Sequence, residues 1–400
     1  MRISISSTIL AVAAAGSAPL VAAWGAAGHE IVATIAQAYL HPSALPAICD
    51  TLNFTSTNPN EPRCHLAPIA TWADRYKYRM RWSAPLHYVG ALDDHPSETC
   101  LFPGERGWAG RVGGNVLAGI RNTTTLLEDW VAGEVDDATA NEALKFLVHF
   151  VGDMHMPLHL TGRDRGGNSD KVTFDGRVSN LHSVWDGLLI AKALRTIPHN
   201  YTRPLPEPAI EFNLRDTIYD PYVRRVIWEG IMGEWKDEAA SWLACPAVTP
   251  AFSIAAAPQP DIWQQILSAF TTGISQDVDD DVLCPHHWAA PIHALNCEIV
   301  WPKALDEPPY SRLATRIAGA WDATDVARAD TPEEEYAMMD EEGRFIAGEV
   351  RRGSPYLELD TPEYAGVIAE RRIVEKLMAQ AGIRLAAILN SLFATEDAAH

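Results

Sequence analysis

One eleven-residue stretch constrains this chain more than any other: His149-Phe150-Val151-Gly152-Asp153-Met154-His155-Met156-Pro157-Leu158-His159. His149 and Asp153 are four residues apart, so a helix sets them on one face. Leu144, Leu147, Val148 and Val151 have the spacing of a buried stripe on that helix. Pro157 should end it and let His159 point back from another direction. The spacing recurs in His182-Ser183-Val184-Trp185-Asp186, where Asn180 is placed to cap the helix. Either pair alone reads better as a local hydrogen bond on a helix surface. Two such helices threaded with apolar residues, plus a histidine after a proline break, point to metal, because imidazole nitrogen and carboxylate oxygen are zinc ligands. His155 lies about 240° around the helix from His149 and cannot face the same ion, so it is expected to pack in the core or support a ligand. His41, His65, His95, His199, His286, His287, His293 and His400 have no comparable partner pattern.

The rest of the chain reads as all-α, mainly helical with one small β-hairpin. Helical spacing appears at Ile31, Val32, Ile35, Ala36 and Leu40, at Leu181, Val184, Trp185, Leu188 and Leu189, over 223–243 and over 365–393. The best strand candidate is the hairpin arm at 171–177. Residues 246–283 lack Lys and Arg, and 303–353 are polar and acidic; both are expected to be surface insertions on a single domain spanning 24–400. The alternation of Asp277, Asp279 and Asp281 lacks the Gly and Glu of a calcium loop and reads as a solvated charge run.

The compartment bears on the chemistry. Residues 1–23 start with Arg2, continue through the apolar run Ile9 to Ala15 and end in Val21-Ala22-Ala23, the form of a secretory signal peptide. Secretion fits six cysteines and three N-x-[ST] sequons, at Asn53, Asn122 and Asn200. No other run is long and apolar enough to cross a membrane. A net charge of −20 argues against holding nucleic acid on a broadly basic surface, and leaves room for an enzyme with a locally positive site.

Three further segments offer ligands: Thr71-Trp72-Ala73-Asp74, Pro85-Leu86-His87-Tyr88, and Trp24-Gly25-Ala26-Ala27-Gly28-His29 at the new N-terminus, whose α-amine is itself a possible ligand. Together with Gly166-Gly167-Asn168 and the closing Gly382-Ile383-Arg384-Leu385-Ala386, these motifs occur in an order that resembles the zinc-dependent single-strand-specific nucleases of fungi and plants, the S-one and P-one type. Those enzymes share a helical fold with zinc-dependent phospholipase C. The resemblance spans nearly all of the chain after residue 23.

It implies three zinc ions. One is held by Asp74, His87 and His149, with Asp153 bridging; a second by the amine and carbonyl of Trp24, by His29 and by Asp153; a third by His159, His182 and Asp186. Asp153 is then the catalytic bridging carboxylate, and the nucleophile is a zinc-bound hydroxide. The resemblance further implies a secreted, monomeric endonuclease that cleaves single-stranded DNA and RNA to 5′-phosphate products and also acts on 3′-nucleotides. Lys77 is expected at a phosphate, Tyr88 stacked on a base, and Asn168 among the substrate contacts. Gly90 replaces an acid that helps hold the base in the family, and Gly187 replaces a frequent Asn. Cys100 with Cys297 resembles the family's long-range disulfide; Cys245 with Cys284 and Cys49 with Cys64 complete the expected pairing. The alternatives are a zinc phospholipase C-like phosphodiesterase and a catalytically inactive secreted zinc-binding protein.

Overall fold

The computed structural model describes residues 24–198, 200–246, 279–280, 282–311 and 354–395. The signal segment, His199, His400 and most of the two expected insertions lie outside the described residues. Five helices come first: α1 (Ala26–Ala38), α2 (Ala44–Thr51), α3 (Trp72–Tyr76), α4 (Val116–Val131) and α5 (Asp137–Met154). After them come a broken helix over 181–196, another over 220–234, and the helices Pro285–Leu295 and Ile373–Phe393. One hydrophobic cluster runs from Trp24 to Phe393, so α1 and the last long helix belong to the same core.

Local chemistry sets the frame. Asn115 caps α4 by accepting the Ala118 N–H at 3.0 Å, and Asp136 caps α5 by accepting that of Thr139 at 2.8 Å. α4 packs along α5, and α1 along Ile373–Phe393. The second crossing needs Gly382, where a Cβ would lie 2.5 Å from Ile35 Cγ2. A hairpin forms, but the arm expected over 171–177 holds its turn: β1 (Lys171–Phe174) ends before it and Arg177 opens the antiparallel β2 (Arg177–Asn180). Its two-residue turn, Asp175-Gly176, has φ of 53° and 69°, the left-handed pair of a tight hairpin turn.

Several elements differ from the sequence reading. The run over 365–393 is not continuous: Arg372 has φ of 52° and restarts the helix at Ile373. The run over 223–243 leaves helix after Glu234, because Trp235 folds back into the space beside Gly230. Helix α4 was not anticipated; its buried stripe is interrupted by Thr123 and Thr124, whose hydroxyls bond back to the preceding turn. A two-residue strand, β3 (Leu357–Glu358), joins β1 in parallel and is too short to show a period.

The three disulfides pair as expected, Cys49–Cys64, Cys100–Cys297 and Cys245–Cys284. Asp279 accepts the N–H groups of His286 and His287, so it serves the start of helix Pro285–Leu295. Leu305 is buried, and Asp306 is clasped by Arg163, which ties the first residues of the second acidic stretch to the body.

Candidate metal centre

Helix α5 delivers two groups to one buried point. His149 Nδ1 donates to the Ala70 carbonyl at 2.7 Å, which aims Nε2 inward. There Nε2 lies 3.0 Å from Asp74 Oδ2, 3.3 Å from Asp153 Oδ2 and 3.1 Å from His87 Nδ1. His87 Nδ1 is also 3.0 Å from Asp153 Oδ2 and 3.5 Å from Asp74 Oδ1. These separations bracket the ~3.3 Å edge of a tetrahedron whose bonds are about 2.0 Å, the zinc–nitrogen distance. Asp74 sits in α3, and His87 ends the short 3-10 helix Arg81–His87.

His29 enters from α1. Its Nε2 is 3.3 Å from Asp153 Oδ1, and its ring stacks on His149 with centroids 3.9 Å apart. This approach depends on Gly152, where a Cβ would stand 2.6 Å from His29 Nδ1. Trp24 is fully buried, with a Cβ at Gly28 excluded by the Trp24 side chain at 2.9 Å. The Trp24 backbone nitrogen donates to Asp186 Oδ1 at 3.1 Å. It therefore faces the acid of the neighbouring cluster, whereas the resemblance grouped it with His29 and Asp153.

That neighbouring cluster is His159, His182 and Asp186. His159 Nδ1 donates to the His87 carbonyl at 2.6 Å and His182 Nδ1 to the Gly166 carbonyl at 2.8 Å. Both rings are thereby oriented with Nε2 turned to the cluster as the ligating nitrogen. His182 Nε2 is 3.1 Å from Asp186 Oδ2, and the two imidazole rings are 5.0 Å apart. Asp186 lies in the π-helical turn Val184–Leu188.

The electrostatics single out these residues. Burial alone would push the Asp153 carboxyl up, yet the pull of His149 and bonds to His149, His29 and His87 hold it well below the usual range. Asp74 is lowered the same way: burial opposes the shift, and His149, His87 and Lys77 overcome it. Burial lowers His29 and His159. His149 is also lowered by burial, but Asp153 and Asp74 raise it well above the ordinary value. Seven buried atoms of the cluster make no hydrogen bond: both nitrogens of His29, both oxygens of Asp74, His87 Nε2, Asp153 Oδ1 and His159 Nε2. Buried polar atoms are normally paired, and those of the set that face the clusters, His29 Nε2, both Asp74 oxygens, Asp153 Oδ1 and His159 Nε2, fit divalent metal ions.

Comparison with known proteins decides the family. A model described as S1/P1 Nuclease matches residues 24–320. The chain belongs to the S1/P1 nuclease family. It is 40% identical over 173 residues to Nuclease P1 of Penicillium citrinum, covering 43% of this chain and 60% of that protein. To Nuclease S1 of Aspergillus oryzae it is 39% identical over 171 residues, 42% of this chain and 55% of the relative. To Endonuclease 2 of Arabidopsis thaliana it is 32% identical over 239 residues, 58% and 72% respectively. The chain thus spans less than two thirds of the length of Nuclease P1 and of Nuclease S1. The mainly helical architecture of the described residues agrees with that membership.

The S1/P1 frame also locates the remaining expected residues. Lys77 Nζ is 3.8 Å from Asp74 Oδ1, at the edge of the buried cluster. Tyr88 is half-buried, and its carbonyl accepts from Val116. The Asn168 amide donates to the Arg165 carbonyl at 2.9 Å, which commits it to its own turn. Gly90 has a steric cause: a Cβ there would meet Gly162 N at 2.6 Å, so no acid fits at that position. Asp94 is buried instead against His293 at 3.0 Å and receives the Thr161 hydroxyl at 2.6 Å. That dyad went unread in the sequence, as its members are 199 residues apart. His155 packs in the core as expected, donating to Val151 and accepting from Arg384 at 2.8 Å. All three sequon asparagines are exposed; Asn122 lies within α4, Asn53 and Asn200 on turns.

Proposed function

We propose that this chain is a secreted zinc endonuclease that cleaves single-stranded DNA and RNA to 5′-phosphate products and also hydrolyses 3′-nucleotides. The observation that carries this reading is the convergence of five buried side chains, His29, Asp74, His87, His149 and Asp153, at separations of tetrahedral-edge size, with unpartnered atoms on all but His149. In this reading Asp74, His87, His149 and Asp153 hold one zinc, Trp24, His29 and Asp153 a second, and His159, His182 and Asp186 a third. When bound, zinc supplies an activated water near neutral pH and a counter-charge for the leaving oxygen.

The chain's own groups do the rest. Asp153 presents one oxygen to His29 and the other to His87 and His149, so a single carboxylate would serve two ions. Removal of residues 1–23 converts the Trp24 amide into an amine that can ligate. Its partner, Asp186, couples the new terminus to the third ion. Lys77 reaches phosphate from beside Asp74, and Tyr88 offers a ring to a base. No side-chain nucleophile is required. Three divalent ions outweigh three aspartates, so the site is positive inside a strongly acidic protein and attracts a phosphate while the surface repels a long duplex.

The test incubates the processed protein and zinc with a single-stranded oligonucleotide at mildly acid pH and examines the product ends. Cleavage to 5′-phosphates that stops with a chelator is the expected result, with terminal sequencing showing Trp24 first. A zinc-loaded protein that leaves the oligonucleotide and a 3′-nucleotide intact but cleaves a phospholipid would replace this reading with the phospholipase C-like one.

A further inference from the structure

We propose that Arg79, Arg81 and Trp82 form a rim, outside the metal centre, that binds the nucleotides flanking the cleaved bond in a single-stranded substrate; this rests on the nuclease reading above. The segment over 75–82 reads Arg-Tyr-Lys-Tyr-Arg-Met-Arg-Trp. It holds four cations, and no acid follows until Asp93, in a chain whose net charge is −20. Its aromatic side chains are turned outward: Tyr76 is 36% exposed, Tyr78 49% and Trp82 63%.

The patch is braced from below. The Arg79 guanidinium lies 5.8 Å from the Tyr76 ring centre and 5.5 Å from that of Tyr78, which holds a cation over aromatic faces. Trp82 packs on Phe146 with centroids 5.6 Å apart; Phe146 stacks on Phe150, and Phe150 meets His87, each at 5.2 Å. Trp82 and His87 also belong to one 3-10 helix, Arg81–His87. Five residues at about 2 Å rise put the rim roughly 10 Å along that helix from the centre, within reach of a strand of a few nucleotides.

Exposed aromatic faces between cations suit a flexible phosphate chain whose bases are free to stack. A duplex keeps its base faces covered and would use only the charges. The rim thus favours single strands without reading sequence.

Two variants test this, Trp82→Ala and the pair Arg79→Ala with Arg81→Ala. Each is assayed on a thymidine dinucleotide and on an oligothymidylate of about twelve nucleotides, a length within the usual single-strand site sizes. Trp82→Ala is expected to raise KM for the longer substrate about 5- to 50-fold, with kcat and the dinucleotide unchanged. The arginine pair is expected to flatten the salt dependence of kcat/KM for the oligonucleotide by about 1.4 in log–log slope, at about 0.7 per phosphate contact. Fluorescence anisotropy with a phosphorothioate oligothymidylate reads binding without turnover, and both variants are expected to bind it more weakly. Equal effects on both substrates, or no effect on KM, slope and anisotropy, would overturn the rim. So would unchanged oligonucleotide binding with lost binding to phosphatidylserine vesicles, which would mark a membrane-facing patch. A wild-type protein inert on both substrates would overturn the nuclease reading, while anisotropy would still decide the rim.

Discussion

The two halves of the centre are built differently. His29, Asp74, His87, His149 and Asp153 are 5% exposed or less; His29 stands in the first turn of α1 and His149 well inside α5. His159, His182 and Asp186 come from a 3-10 turn, a one-turn helix and a π-helical turn, and the His182 side chain is 14% exposed. The first half packs three histidines around two carboxylates; the second is held by backbone carbonyls, and only His182 in it is partly exposed. Holding two ions close together demands the rigidity of packed helices, whereas a site that meets the departing part of a substrate needs an open side.

The largest expected effect falls where the two halves meet. Asp153 contacts His29, His87 and His149 and lies 3.8 Å from His159 Nδ1. Asp153→Asn is expected to lower kcat/KM on the order of a thousandfold or more, since several kcal/mol of metal chemistry are lost at about 1.4 kcal/mol per tenfold. Near-normal turnover by this variant would show that the halves work independently.

Much of this centre was legible in the sequence, for a physical reason. Ligand spacing on a helix is local, so His149 with Asp153 and His182 with Asp186 declare themselves. The motif order then supplied Asp74, His87 and His29 through resemblance. What stayed hidden is long-range: Arg384 on His155, His293 on Asp94, the Trp24 nitrogen on Asp186, and Gly162 filling the space beside Gly90. Gly152 was in view, but its purpose depends on a helix more than a hundred residues earlier in the chain. Helix α4 was missed because buried threonines blur its apolar stripe.

That glycine gives the next test. Gly152→Ala puts a Cβ against His29. Overpacking is expected to cost about 1–3 kcal/mol of stability, and the displaced imidazole to lower activity about 10- to 100-fold. Thermal melts and zinc content read the two effects separately. Unchanged activity would mean that His29 has slack to move.

The open half should be more forgiving of its fold. Asp186→Asn is expected to lose one zinc and most activity while Tm moves by no more than about 2–4 °C, the equivalent of roughly 1 kcal/mol. A collapse of the whole fold would erase the contrast between the halves.

The smallest effect concerns pH. Asp170, just before β1, is pushed up to about 8, first by burial and then by Asp164. A carboxyl raised in the folded state stabilises it fully below the unfolded pKa and loses that contribution as pH climbs through the folded one. Wild-type Tm should therefore decline between about pH 4 and pH 8 more than that of Asp170→Asn, which cannot ionise. Parallel profiles would remove Asp170 from the account.

The central claim is best tested by counting zinc per chain in processed wild type and in the two aspartate variants by elemental mass spectrometry. Three ions in wild type, two in Asp186→Asn and no more than one in Asp153→Asn are expected, because in the proposed ligand set only Asp153 serves two ions. Equal zinc in all three proteins, or fewer than three ions in an active wild type, would contradict it.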